Sequence, residues 1–276
     1  MGAMMPILPE DEQVRGGVYL CQTGPCTSCG SCCGLYNVCG LSREGLRSVL
    51  IQRTEAFARV PRSIDAILAF EQERLDIEGR DHPIPDFHHC VFVGLIRDGG
   101  ERVGCLLHPM ADGNAGVDWR GLSFYGGAAC KHFFCPTYDL LEARWKRLVR
   151  QVVDDWYAYG LIIPEHRLLA ALLGAVEGRL GRELDPDALS PDGQAALAEL
   201  LRVKLDWPLR SPDTPLAWNF FSTRRTERPG FDANQPGDPL LLQALRELDT
   251  LPENTAPALE RLEKLLDRAV ASLSRK

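Results

Sequence analysis

The stretch FHHCVFVGLIRDGGERVGCLLHP, Phe87 to Pro109, sets two β-prone runs on either side of Asp98-Gly99. Asp-Gly between alternating apolar residues is the strongest short-range signal for a β-hairpin. It predicts one hairpin in a chain that otherwise reads as helix, so the fold class is α+β and predominantly helical. With Asp98 and Gly99 as a two-residue turn, Arg97 pairs with Gly100, Cys90 falls opposite Leu107, and Cys105 falls opposite Phe92. Side chains alternate between the faces of a strand. Cys90 and Cys105 then share a face as diagonal neighbours, about 7–8 Å apart at the backbone, and one metal site can take both.

Upstream of the hairpin, Ser42 is placed to cap a helix carrying Leu46, Val49, Leu50, Phe57 and Val60, which Pro61 ends. Ser63 is placed to cap a second, with Ile64, Ile67, Leu68 and Leu75. Downstream, a Gly-rich loop leads to Cys130-Lys-His-Phe-Phe-Cys135-Pro136. Beyond it, Thr137 is placed to cap a long amphipathic helix with Leu141, Trp145, Leu148, Val152 and Trp156 along one side. Pro164 suits the first turn of the next helix, followed by Leu168, Leu172, Val176 and Leu180. Further helical patterns run over 192–205, 239–248 and 255–273, and the Pro-, Gly- and Asp-rich stretch before residue 239 reads as irregular. Residues 1–140 thus form a Cys-rich metal-cluster-binding region, and 141–276 a helical region packed against it as one globular unit.

The chain has 276 residues, enough to bury a core without covalent staples, and a net charge of -7, which argues against nucleic acid or an anionic membrane as partner. The amino terminus shows no basic leader followed by an apolar run, and no stretch has the roughly 18 uninterrupted apolar residues of a membrane span. The expectation is a soluble, cytoplasmic protein.

All ten cysteines lie at or before Cys135. A disulfide framework spreads through a small coreless fold, so this crowding points to reduced thiols serving a metal. In CQTGPCTSCGSCCGLYNVCG, Cys21 to Gly40, the spacing Cys26-x2-Cys29-x2-Cys32 aims three thiolates at one polynuclear centre, and a distant fourth such as Cys135, followed by Pro136, completes it. Cys32 and Cys33 are adjacent. Neighbouring side chains on an extended backbone point in opposite directions, so the pair would face two sites. Counting Cys26, Cys29, Cys32, Cys33, Cys90, Cys105, Cys130 and Cys135 gives eight thiols, enough for two four-thiolate sites. The alternative for Cys33 is a small buried hydrophobe.

The run CTSCGSCCG, followed by isolated cysteines in a hairpin and a closing Cys-x4-Cys, resembles the bacterial family of zinc- or iron-chelating CxxCxxCC proteins. That family is also described as iron-sulfur-cluster-containing and includes relatives of flagellin lysine methylase. The resemblance covers roughly residues 20–140. It implies ligation by Cys26, Cys29, Cys32 and Cys33, with Cys90, Cys105, Cys130 and Cys135 as later ligands. Cys21 and Cys39 fall outside the motif and read as bystanders. Many members place an Arg-Pro pair before the last cysteines, whereas this chain has His108-Pro109.

Zinc knuckles come as two separate Cys-x2-Cys pairs, whereas the third thiol here favours one or two 4Fe-4S clusters, with Zn2+ as the alternative. Five histidines, His82, His88, His89, His108 and His132, lie near the later cysteines, and His108 and His132 are each three residues from one. Trp119, Phe124 and Tyr125 read as an apolar lid over the metal. The chain has no dinucleotide, Walker or nucleophile-elbow motif, and no Cys-x3-Cys-x2-Cys run, because position 36 is Tyr36. No catalytic residue is identified. The expected function is an iron-sulfur protein, redox-active or assisting a modification reaction on a protein partner or substrate, the methyl-transfer form of that reaction being implied by the resemblance alone. The alternatives are a zinc-stabilised protein-binding module without catalysis, and metal storage or delivery.

Overall fold

The computed structural model describes residues 8–38, 42–79, 81–97, 100–212, 214–217 and 237–275. Cys39, the Asp98-Gly99 turn and most of the irregular stretch before residue 239 lie outside the described residues. Of what is described, 57% is helical, and the one sheet is a two-stranded antiparallel hairpin, so the α+β, mainly helical expectation holds.

Two helices precede the hairpin, α1 (Arg43–Phe57) and α2 (Ile64–Glu78). Their expected caps are present, Ser42 accepting from the Gly45 amide and Ser63 from the Ala66 amide. Such a cap satisfies an amide the first turn leaves unpaired.

The hairpin consists of β1 (Val93–Ile96) and β2 (Arg102–Cys105). Its register is one residue off the expected one: Val93 pairs with Cys105, Gly94 with Gly104, Leu95 with Val103 and Ile96 with Arg102. Tertiary contacts hold the strands in this register. The Val103 amide donates to Ser28 Oγ at 2.8 Å, and its carbonyl accepts from Gln22 Nε2 at 2.9 Å, so residues 22–28 cover the outer edge of β2. The edge of β1 is tied to Thr54 of α1, whose Oγ1 accepts from the Leu95 amide at 2.8 Å. The outward-facing backbone groups of Leu95 and Val103 are thereby paired within the chain.

The expected long helix after Thr137 is broken into α4 (Thr137–Leu140), α5 (Ala143–Val152) and α6 (Trp156–Ile162). Thr137 does not cap; its hydroxyl donates to the Ile163 carbonyl at 2.8 Å. Asp155 caps α6 through the Tyr157 and Ala158 amides. The expected 192–205 helix divides as α8 (Pro191–Leu201) and α9 (Val203–Asp206), after α7 (His166–Leu180). Pro164 precedes the first turn of α7 instead of occupying it. Two more helices, α10 (Pro239–Glu247) and α11 (Thr255–Ser274), match expectation, and a short α3 (Gly126–His132) replaces part of the expected loop.

Apolar side chains collect in two cores. One, built on α5, α7, α8, α10 and α11, also takes Val18, Leu20 and Tyr138. The other joins α1, α2 and the hairpin with Leu35 and Tyr36. Helix α6 serves both: Ala158, Tyr159 and Ile162 enter the first, Trp156 and Leu161 the second. No single described helix is long and apolar enough to cross a membrane.

Buried charges tie the amino-terminal segment to the helices. Arg150 of α5 grips Asp11 with contacts of 2.7 and 3.0 Å, and Asp11 also accepts the Tyr19 and Leu8 amides. Lys146 donates to the Gly16 and Tyr138 carbonyls, each at 2.8 Å.

Candidate metal centre

The cysteine-rich segment begins as a miniature antiparallel pair. Gln22 bridges Ser28, and the Cys29 amide donates to the Cys21 carbonyl at 2.8 Å. The turn between them is closed by the Thr23 and Gly24 amides, both donating to the Thr27 carbonyl. Cys21 and Cys29 are therefore directly opposite each other, where Cβ atoms lie about 4.5–5.5 Å apart. Cys26 sits in the turn and is exposed.

Ser31–Cys33 then form a 3-10 turn, not the extended backbone expected for the adjacent pair. Successive side chains leave such a turn about 120° apart rather than opposed. The Cys32 and Cys33 thiols act on each other, which lowers the pKa of Cys32 and raises that of Cys33. Gly34 ends the turn at φ 70°, and a Cβ there would lie 1.8 Å from the His88 carbonyl oxygen. Backbone conformation and space both demand glycine. Gly34→Ala is expected to destabilise the fold by more than about 1 kcal/mol, read as a lower urea midpoint, and to displace Cys33 from Cys90.

Cys90 reaches Cys33 through the backbone, its amide donating to the Cys33 carbonyl at 2.8 Å. It lies outside β1, so the expected diagonal pairing with Cys105 does not occur, although the two thiols are still neighbours. Cys130 is carried on α3 and Cys135 follows it, just before α4.

Core membership and mutual electrostatic influence divide six of the nine described cysteines in the same way. Cys21, Cys29 and Cys135 pack against the first core, whereas Cys33, Cys90 and Cys105 belong to the second. In the first group, burial pushes Cys29 well above its usual pKa, and Cys32, Cys135 and Cys21 push it further. Burial also raises Cys21 to about 12, with Cys32 and Cys135 adding to it. In the second, burial and then the Cys105 charge raise Cys90 to about 12, and Cys130 contributes as well. Burial raises Cys105 to about 11, again with Cys130 adding. Cys32 belongs with the first group and Cys33, acted on by Cys90 and Cys105, with the second. Buried thiols stay protonated without a compensating cation; a bound metal supplies that charge and releases the protons.

The first group lines a small cavity of about 20 Å3 with Leu20, Phe133 and Tyr138. Among the described residues, no three His, Cys, Asp or Glu side chains converge closely enough to hold one metal ion as they stand. A single zinc needs each sulfur about 2.3 Å from one point. A polynuclear cluster binds each thiolate through a different iron and takes donors set wider around one cavity.

Charged and aromatic groups surround the second group. Arg120, forked onto Asp118 at 2.8 and 2.7 Å, is close enough for its charge to draw the Cys105 pKa down. Ser123 Oγ lies 3.1 Å from Cys130 Sγ. His89 is not free to ligate. Arg53 can only donate, so His89 Nε2 accepts from it and Nδ1–H donates to the Gly34 carbonyl at 2.8 Å. Burial and then the Arg53 charge hold its pKa down at about 3. The His88 ring stacks on Phe124 at 4.0 Å, with Tyr125 edge-on to both. Phe124 is 67% exposed, so it forms an outer face instead of a buried lid. His108 Nδ1 accepts the Met110 amide, and His132 is exposed.

Sequence reasoning passed over Cys21. The signal was Thr23-Gly24-Pro25, a turn that sets Cys21 across from Cys29. Comparison with known proteins adds nothing to the motif: no family model, curated protein or solved structure matches the chain significantly.

Proposed function

We propose that this chain is an iron-sulfur protein whose thiols form two centres meeting at Cys32-Cys33. Cys29, Cys32 and Cys135 serve an inner centre, and Cys33, Cys90, Cys105 and Cys130 an outer one. The observation that carries this reading is the division of thiols between two places: Cys33 packs on the second core with Cys90 and Cys105, whereas Cys32 lines a cavity with Cys21, Cys29 and Cys135. Cys21, Cys29, Cys32 and Cys135 line one cavity, which is where a cluster would be held.

Bound clusters would supply one-electron chemistry, for electron transfer or in support of a modification reaction on a protein partner. The residues present would hold and shield them. Leu20, Phe133 and Tyr138 keep water from the inner thiols, while Arg120 and Asp118 place charge beside the outer ones. A cytoplasmic setting belongs to this proposal, because all nine described cysteines are free thiols.

Anaerobic purification tests it. The expected product is brown, with iron and acid-labile sulfide in equal amounts. A colourless protein carrying stoichiometric zinc in both aerobic and anaerobic preparations sinks the iron-sulfur reading and leaves the zinc-stabilised binding module.

A further inference from the structure

We propose that Cys21, and not the motif residue Cys26, is the fourth thiol of the inner centre, and that the Tyr138 hydroxyl hydrogen-bonds its sulfur. The inference deepens the iron-sulfur reading and rests on it. Its first support is the backbone. The Gln22–Ser28 bridge sets Cys21 opposite Cys29 and leaves Cys26 at the tip of the turn. Three contacts fix that geometry: Gln22 Nε2 donates to the Val103 carbonyl, Arg102 Nη1 donates to Gln22 Oε1, and Ser28 Oγ accepts the Val103 amide. The tip is also crowded, since a Cβ on Gly100 would lie 2.3 Å from the Pro25 carbonyl oxygen.

The cavity supplies the second support. Cys21, Cys29, Cys32 and Cys135 line it, and Cys26 does not.

The third is the environment of the Cys21 sulfur. Tyr138 Oη lies 3.2 Å from Cys21 Sγ and accepts the Leu20 amide at 2.8 Å. A ligating thiolate can only accept, so the Tyr138 proton must point at the sulfur. Lys146, bonded to the Tyr138 carbonyl, holds that residue against the amino-terminal segment. A hydrogen bond to a ligating sulfur is one of the levers that sets a cluster's reduction potential. Tyr138 is therefore a positioning residue of the inner centre, acting through the Cys21 sulfur.

The full chain, purified anaerobically, decides the matter. Alkylation of the wild-type protein with iodoacetamide, followed by mass spectrometry, is expected to modify Cys26 and spare Cys21. Cys26→Ser should keep its full iron content, and Cys21→Ser should lose about half. Tyr138→Phe should keep its iron, with one of two midpoint potentials moving to a lower value and the other unchanged. Protection of Cys26, with Cys21 modified, overturns the assignment even in a protein rich in iron. Two unmoved potentials overturn the role of Tyr138. A wild-type chain without iron overturns the iron-sulfur reading instead. The alkylation is then repeated after loading with Cd2+ alone, where sparing of Cys21 still supports its place in the site and equal modification of both cysteines overturns it.

Discussion

Cys32→Ser and Cys33→Ser are each expected to remove about half of the iron from anaerobically purified protein, and to remove different halves. Cys32 neighbours Cys29 and Cys135 on the side of the first core. Cys33 is acted on by Cys32 and then by Cys90 and Cys105, and its carbonyl holds the Cys90 amide. The two are adjacent in the chain, yet each replacement removes a ligand from a separate set of partners. The measurement is iron per chain with electron paramagnetic resonance of the reduced protein. Each variant should retain one signal, and the retained signals should differ. Unchanged iron in Cys33→Ser removes the outer centre from consideration, and complete loss in both variants points to one shared centre.

The second large effect concerns stability. The Arg53 side chain is fully buried, and it bonds Glu78 of α2, His89, and the Cys90 and Val93 carbonyls. One guanidinium thus connects both amino-terminal helices to the hairpin and to the segment bearing Cys90. Arg53→Ala should destabilise the fold by about 3–5 kcal/mol, the range for removing one partner of a buried pair. His89 and two carbonyls would lose their donor, and a cavity would open beside them. Arg53→Lys should recover only a small part of this, because an ammonium cannot reproduce the planar fork. Urea denaturation checks both variants. A loss below about 1 kcal/mol for the alanine variant would show that water takes over these bonds.

What was legible in the sequence follows the range of the forces involved. Ser42 and Ser63 act on amides three residues away, and both caps are as read. The hairpin was legible because Asp-Gly between apolar runs is a local signal. Its register was not, because Gln22 and Ser28 set it from about eighty residues upstream. The helix after Thr137 shows the same limit. Its apolar spacing is continuous, but Thr137 is drawn to the Ile163 carbonyl and Asp155 starts a new helix. Gly126 and Gly127 concealed α3, since glycine argues against helix wherever packing does not decide. In the candidate site, spacing singled out the run from Cys26 to Cys33. It gave no hint that a tight turn would send Cys26 outward and bring Cys21 in its place.

The clamp of Arg150 and Lys146 on the amino-terminal segment bears on the order of events during synthesis. Every cysteine leaves the ribosome before Tyr138, Lys146 and Arg150, and domains assemble as their chain emerges. A nascent chain that has just released Cys135 carries all its thiols, but not the helix that seats Cys21 against Tyr138. Its sulfurs are then open to any soft metal or oxidant in the surroundings. If the cavity takes a cluster as proposed, its loading would wait for residues that contribute no ligand at all.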